Sequence, residues 1–182
     1  DEFIRYQKDG SLLILYRGLL LKNDQILERL SSFIAVAVRN SGENVNYHLN
    51  AIRSLDREDF IKVAFVLQHY RILVEFQGLI KYMNPAERIV LFDLLEAVGA
   101  EQNLSFLLRC LQLDDSRIRI RVLKILGESE QLGLRHEVFE FLTDSDEQVL
   151  LATLRYLQKK GDLSILEKIS HLTRSKKKKV RQ

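Results

Sequence analysis

The residues in this chain whose types could support chemistry are four histidines, one cysteine and two groups of basic side chains. The histidines are His48, His69, His136 and His171. A structural or catalytic zinc site needs ligands at short, characteristic spacings. No two of these histidines are so placed, and there is no His-Glu-x-x-His run. His136 is followed by Glu137, and this pair reads as the exposed start of a helix. Cys110 sits in the run Leu107-Leu108-Arg109-Cys110-Leu111. An exposed thiol beside Arg109 would have a lowered pKa; the apolar run instead reads Cys110 as a small core residue. A single cysteine cannot form an intrachain disulfide, so a reducing, cytoplasmic setting is expected. Gly78, Gly99, Gly127 and Gly133 are isolated and form no phosphate-cradling loop. No catalytic residue, metal ligand or cofactor is expected.

The basic residues carry more. Arg117, Arg121 and Lys124 are spaced i, i+4 and i+7, which puts them on one face of a helix. Such a face can bind a partner's carboxylates or phosphates, or pair with Asp114 and Asp115 nearby. Lys176, Lys177, Lys178 and Lys179 form an unbroken run near the end. The net charge of +3 comes largely from this end: six of the 28 basic residues lie between Arg174 and Arg181. Without them, acidic side chains, of which there are 25, outnumber basic ones. The net charge is therefore no argument for a broad nucleic-acid-binding face. No aromatic residue adjoins the lysine run, which disfavours base stacking there.

Which elements position these residues follows from composition and periodicity. Apolar residues make up 46% of the 182, enough for a packed core. One Pro and eight Gly are too few turn-formers for a β-sandwich. The spacing predicts helices near 11–21, 24–39, 45–54, 56–70, 72–82, 85–98, 102–112, 116–126, 133–142, 145–159 and 163–172, with another from about 175. The 85–98 segment is the clearest. Asn84 can cap it, Pro85 suits its first position, Glu87 can reach back, and Gly99 ends it. Asp24, Asp56, Ser116, Ser145 and Ser164 give further start signals, and Gly42, Gly127 and Gly161 further stops. Asp9-Gly10 could instead turn a β-hairpin between Phe3–Tyr6 and Leu12–Tyr16. Arg117 to Arg121 alternates like a strand, although its flanks favour a helix. Phe60, Phe65, Tyr70, Phe76 and Tyr82 read as core residues.

The C-terminal half repeats itself. Leu113-Asp114-Asp115-Ser116, Leu142-Thr143-Asp144-Ser145 and Leu172-Thr173-Arg174-Ser175 are matching turns. Ile89, Ile120, Val149 and Val180 lie 31, 29 and 31 residues apart. Between them fall Gly99, Gly127 and Gly161, each followed by an apolar segment: Phe106, Leu107 and Leu111; Val138, Phe139 and Leu142; Ile165, Ile169 and Leu172. Two helices per period of about 30 is the pattern of an α-solenoid, whose hairpins bury their apolar faces only by stacking.

Over residues 84–182 the pattern resembles HEAT repeats. The Asp-rich turn and the pairs Ile120-Arg121 and Val180-Arg181 carry the resemblance. Val149-Leu150 and Ile89-Val90 depart from it by lacking the Arg. The resemblance implies an all-α, right-handed α-solenoid of antiparallel helical hairpins. Residues 1–83 are expected to form an N-terminal helical region, either a cap of an array over 84–182 or a separate bundle packed on it. It further implies a non-enzymatic scaffold presenting a helical-repeat surface to a partner protein. The expected partner-binding residues are Arg117, Arg121, Lys124 and Lys176–Lys179. The alternative is a nucleic-acid-binding module using the same basic face and the lysine run. Two HEAT-like enzyme classes are similar in architecture. Di-iron hydroxylases use several His-Glu pairs where this chain has one, and DNA glycosylases use aromatic and acidic residues in a basic concave groove. The last repeat reads as cut short and the first residue is Asp1. The chain is therefore expected to be an excerpt of a longer protein, with a membrane anchor before Asp1 as one option.

Overall fold

The computed structural model describes residues 10–133 and 136–161. Every regular element among them is helical. The α-helices are α1 (Ser11–Gly18), α2 (Asp24–Arg39), α3 (Val45–Arg53), α4 (Arg57–His69), α5 (Ile72–Gly78), α6 (Pro85–Val98), α7 (Leu104–Leu111), α8 (Ser116–Glu128) and α9 (Glu147–Lys160). Tighter 3-10 turns cover Gly42–Asn44, Ile80–Tyr82, Glu101–Asn103 and His136–Thr143. Among the described residues, no helix is long and apolar enough to cross a membrane. The residues around Lys176–Lys179, and the helices expected at 163–172 and from 175, lie outside the described residues.

The helix starts obey capping chemistry, with some shifts of a residue. Asn84 accepts from the backbone N–H of Ala86 and Glu87, and Glu87 accepts in return from the Asn84 N–H at 2.8 Å. This is the expected reciprocal box. Asp56 caps α4 through the Asp59 N–H. At α2 the cap is Asn23 rather than Asp24, at α8 Asp115 rather than Ser116, and at α9 Asp146 rather than Ser145. Each side chain accepts from an N–H of the first turn, which any of these residue types can do. Gly99 ends α6 at φ 87°, a left-handed conformation that suits glycine. Helix α8 ends at Glu128, one residue past Gly127, and α9 ends at Lys160, just before Gly161.

The hairpin alternative fails, because Ser11–Gly18 is helical. The alternating arginines also lie on a helix. Ile118, Val122, Ile125 and Leu126 are its buried face, at helical and not strand spacing. The segment expected as a helix over 133–142 is described as 3-10 from His136. Its three-residue period buries Val138 and Phe141, while Phe139 is half-buried against the His136 ring.

The chain divides into two compact units, Asp1–Val98 and Gly99–Gln182. In the first, α2 packs on α5, α4 on α6, and α1 and α6 each on α3. Ile34, Val38, Leu49, Ile52, Val63, Leu67, Phe76 and Leu91 are its fully buried centre. Arg39 and Glu75 tie α2 to α5 through two charge-assisted hydrogen bonds, at 2.9 and 2.5 Å. The guanidinium holds the Glu75 carboxyl below its ordinary value. Of the aromatics expected in the core, Phe76 is buried, but Phe65 is 54% exposed and Tyr82 43%. Phe65 follows the buried Val63 and Ala64 on α4 and falls on the outer side of the turn. Arg71, between α4 and α5, has φ 60°, which costs an L-residue with a Cβ about 1 kcal/mol.

A polar pair lies inside this core. Tyr16 of α1 and His48 of α3 share a hydrogen bond of 2.9 Å between Oη and Nδ1. Both rings are buried, and Phe76 adds an edge contact to His48. Burial pushes the His48 pKa down to about 4 and the Tyr16 phenol well up. The unfolded chain therefore binds a proton that the folded chain refuses between about pH 6.5 and pH 4. Stability should be complete above pH 6.5 and fall by about 3 kcal/mol as pH drops through that window. Urea denaturation at several pH values measures this. His48→Asn, which removes the titrating ring, should lower stability at neutral pH and flatten the slope.

Candidate functional site

The second unit contains a groove shaped to receive another molecule. It is built from two helices with the same direction. Arg119, near the start of α8, reaches Asp144 just before α9. At the other end, Gly127 of α8 faces Tyr156 and Lys159 of α9, and Lys160 Nζ donates to the Ser129 carbonyl. Starts lie with starts and ends with ends, so α8 and α9 run parallel. Helix α8 also packs on α7, and α9 on the 3-10 segment His136–Thr143.

Two devices fix this pairing. The first is the Arg119 guanidinium, only 20% exposed. It donates to Asp144 Oδ2 at 3.1 Å and to the Leu111 carbonyl at 3.2 Å, and Asp114 lies at 3.7 Å. The planar fork can serve several acceptors at once. The second is Gly127, buried where α8 meets α9. A Cβ built there would stand 3.6 Å from the Tyr156 ring and 3.7 Å from the Tyr156 Cα. These are ordinary van der Waals distances, so the approach asks for a small residue here rather than for glycine itself.

Between the C-terminal halves of α8 and α9 lies an open groove of about 310 Å³. Its floor is apolar: Ile120, Leu123, Gly127, Ala152 and Tyr156. Lys124, Arg155 and Lys159 stand on its rim with Glu128 and Gln158. Arg155 and Lys159 are exposed.

Of the predicted binding residues that the structure describes, Lys124 is in the groove wall, and Arg117 and Arg121 are not; Lys176–Lys179 lie outside the described residues. Arg117 is 72% exposed and turns back to Asp115, its own helix cap, at 3.4 Å. Arg121 is half-buried and is not part of the lining. Arg119, left out of the expected set, is the arginine that spans successive turns. Arg155 and Lys159 were also missed, although their i, i+4 spacing on α9 is a legible signal. Among the other chemistry-bearing residues, Cys110 is buried in α7, and His136 and Glu137 are both exposed. No group of three His, Cys, Asp or Glu side chains is placed to hold a metal ion among the described residues. Glu101 accepts from the Ser129 hydroxyl, which lowers its carboxyl pKa.

No family model, curated protein or solved structure matches the chain.

Arg119→Ala should cost about 2 kcal/mol, because the nearly buried Asp144 carboxylate loses a charged partner. Arg119→Lys should recover only part of this, since one ammonium cannot reproduce the fork. Arg117→Ala should change stability by less than about 0.5 kcal/mol. Urea titration of the three variants tests the ranking. For Gly127, an added methyl meets ordinary van der Waals distances. Gly127→Ala should therefore raise stability by up to about 1 kcal/mol, whereas Gly127→Leu should lower it by about 1–3 kcal/mol. Thermal melts of both variants are the check.

Proposed function

We propose that this chain is a non-enzymatic protein-interaction module of the HEAT-like solenoid kind, presenting the α8–α9 groove to a partner protein. The observation that carries the reading is the groove itself. It joins an apolar floor, open at Ile120 and Ala152, to a polar rim, the composition expected of a protein-binding surface. The parallel pairing of α8 and α9 supports the solenoid. Residues 127 and 159, about one sequence repeat apart, meet across the pair. That is how corresponding helices of stacked hairpins meet. The Arg119–Asp144 bond, from one repeat helix to the turn before the next, supports it further.

The nucleic-acid alternative draws less support. The groove's one aromatic, Tyr156, is 2% exposed and offers no face to a base. The turns at the far end of α8 and α9 carry Asp114, Asp115, Asp144 and Asp146, which repel phosphate.

Site-specific photocrosslinking tests the module reading. A photoreactive residue at Gln158, on the groove rim, should give a discrete protein adduct in lysate from the source cells. Excess unlabelled chain should compete it away. The same residue at Gln112, exposed outside the lining, should not give that adduct. Equal adducts from both positions, or none from Gln158, would count against the groove.

A further inference from the structure

We infer that the occupant of the α8–α9 groove is an acidic amphipathic helix of a partner protein. The inference rests on the reading of the groove as a protein-docking site and adds the chemistry of what docks.

Three features select this occupant. The first is charge. Lys124, Arg155 and Lys159 line the groove against one carboxylate, Glu128. Arg155 and Lys159 are exposed on α9 at i and i+4, so both heads can reach a body lying over the floor. Lys160, next in sequence, donates to the Ser129 carbonyl and is not part of the lining. A ligand carrying carboxylates beside its apolar stripe matches this rim, and a basic one is repelled.

The second feature is shape. The lining runs from Ile120 to Glu128 on α8 and from Ala152 to Lys159 on α9. At 1.5 Å per residue this is about 12 Å, or roughly two helical turns. A volume of about 310 Å³ over that length takes the side chains of a short apolar stripe, and not a whole domain. A helix offers such a stripe at i, i+3 or i+4, and i+7. An extended peptide adding to a sheet needs an open strand edge, and there is no strand among the described residues.

The third is the floor. Ile120 and Ala152 are half-buried, so their remaining apolar surface is open to the groove, while Leu123, Gly127 and Tyr156 close it from beneath. Apolar contact favours the stripe, and the rim sets its charge and orientation.

Fluorescence anisotropy on the full chain tests the inference with two labelled designed helices. Both carry leucines at i, i+3 and i+7; one flanks them with Glu, the other with Lys. The Glu helix should bind at least about tenfold tighter than the Lys helix. The double variant Arg155→Glu/Lys159→Glu should weaken the Glu helix about tenfold or more and improve the Lys helix. Arg53→Glu, an exposed reversal in the first unit, should change neither. Circular dichroism checks that each variant keeps its helix content. Equal affinity for both helices, or no binding of the Glu helix, would overturn the inference. So would an oligo-dT probe that competes at the groove, or a chain dimer in sedimentation that Arg155→Glu dissolves; these assign the groove to nucleic acid or to a second copy. A Gln158 adduct that persists unchanged in the Arg155→Glu/Lys159→Glu variant rejects the acidic helix and leaves the docking site standing. Loss of the Gln158 adduct in the unaltered chain removes both.

Discussion

The second unit depends on where the Arg119 guanidinium can find acceptors. It is largely withdrawn from water, and its partners come from three places: the end of α7, the turn before α8 and the turn before α9. A cation so placed must have its donors satisfied, because an unpartnered buried charge is far more costly than a misplaced surface one. Satisfying it brings the two turns together. The starts of α8 and α9 are then adjacent, and the close approach at Gly127 aligns the rest of their lengths. The groove is what remains open between two rods held at both ends.

The first unit is organised differently. Its centre is almost wholly apolar and its helices do not pack in simple succession; α2 meets α5 across two intervening helices. The Tyr16–His48 pair is a polar exception that links two helices. It joins α1 to α3 and accepts a histidine that must stay neutral. Such a pair adds little net stability, because both groups forgo water to form it. Its geometry does discriminate among packings, since a shifted α1 would bury two polar rings with nothing to bond.

The fold was legible where several local signals agreed. Helix α6 has a cap, a proline, a returning glutamate and a terminal glycine, and its bounds follow from them. Cap identity was less legible where two capping residues stood side by side, as with Asn23 and Asp24, because only backbone geometry decides which accepts. Gly127 marks the end of α8 to within one residue, but its place against Tyr156 is a long-range fact that the local sequence does not carry. The candidate site was half legible. Lys124 was in view because its basic neighbours share a helix face. Arg155 and Lys159 acquire meaning only when α9 lies beside α8, a long-range fact that spacing along one helix does not contain. Arg119 was set aside because it falls off the Arg117–Arg121 face, which is the same reason it points inward to Asp144.

The parallel run of α8 and α9 also sorts charge along the unit. Asp114, Asp115, Asp144, Asp146 and Glu147 outnumber Arg117, Arg119 and Arg121 where the helices begin, and Lys124, Arg155, Lys159 and Lys160 outnumber Glu128 and Glu130 toward where they finish. Each excess complements the helix termini beside it. Together they make this part of the molecule electrically lopsided along one axis, so a charged body diffusing toward it feels a torque before it feels a contact.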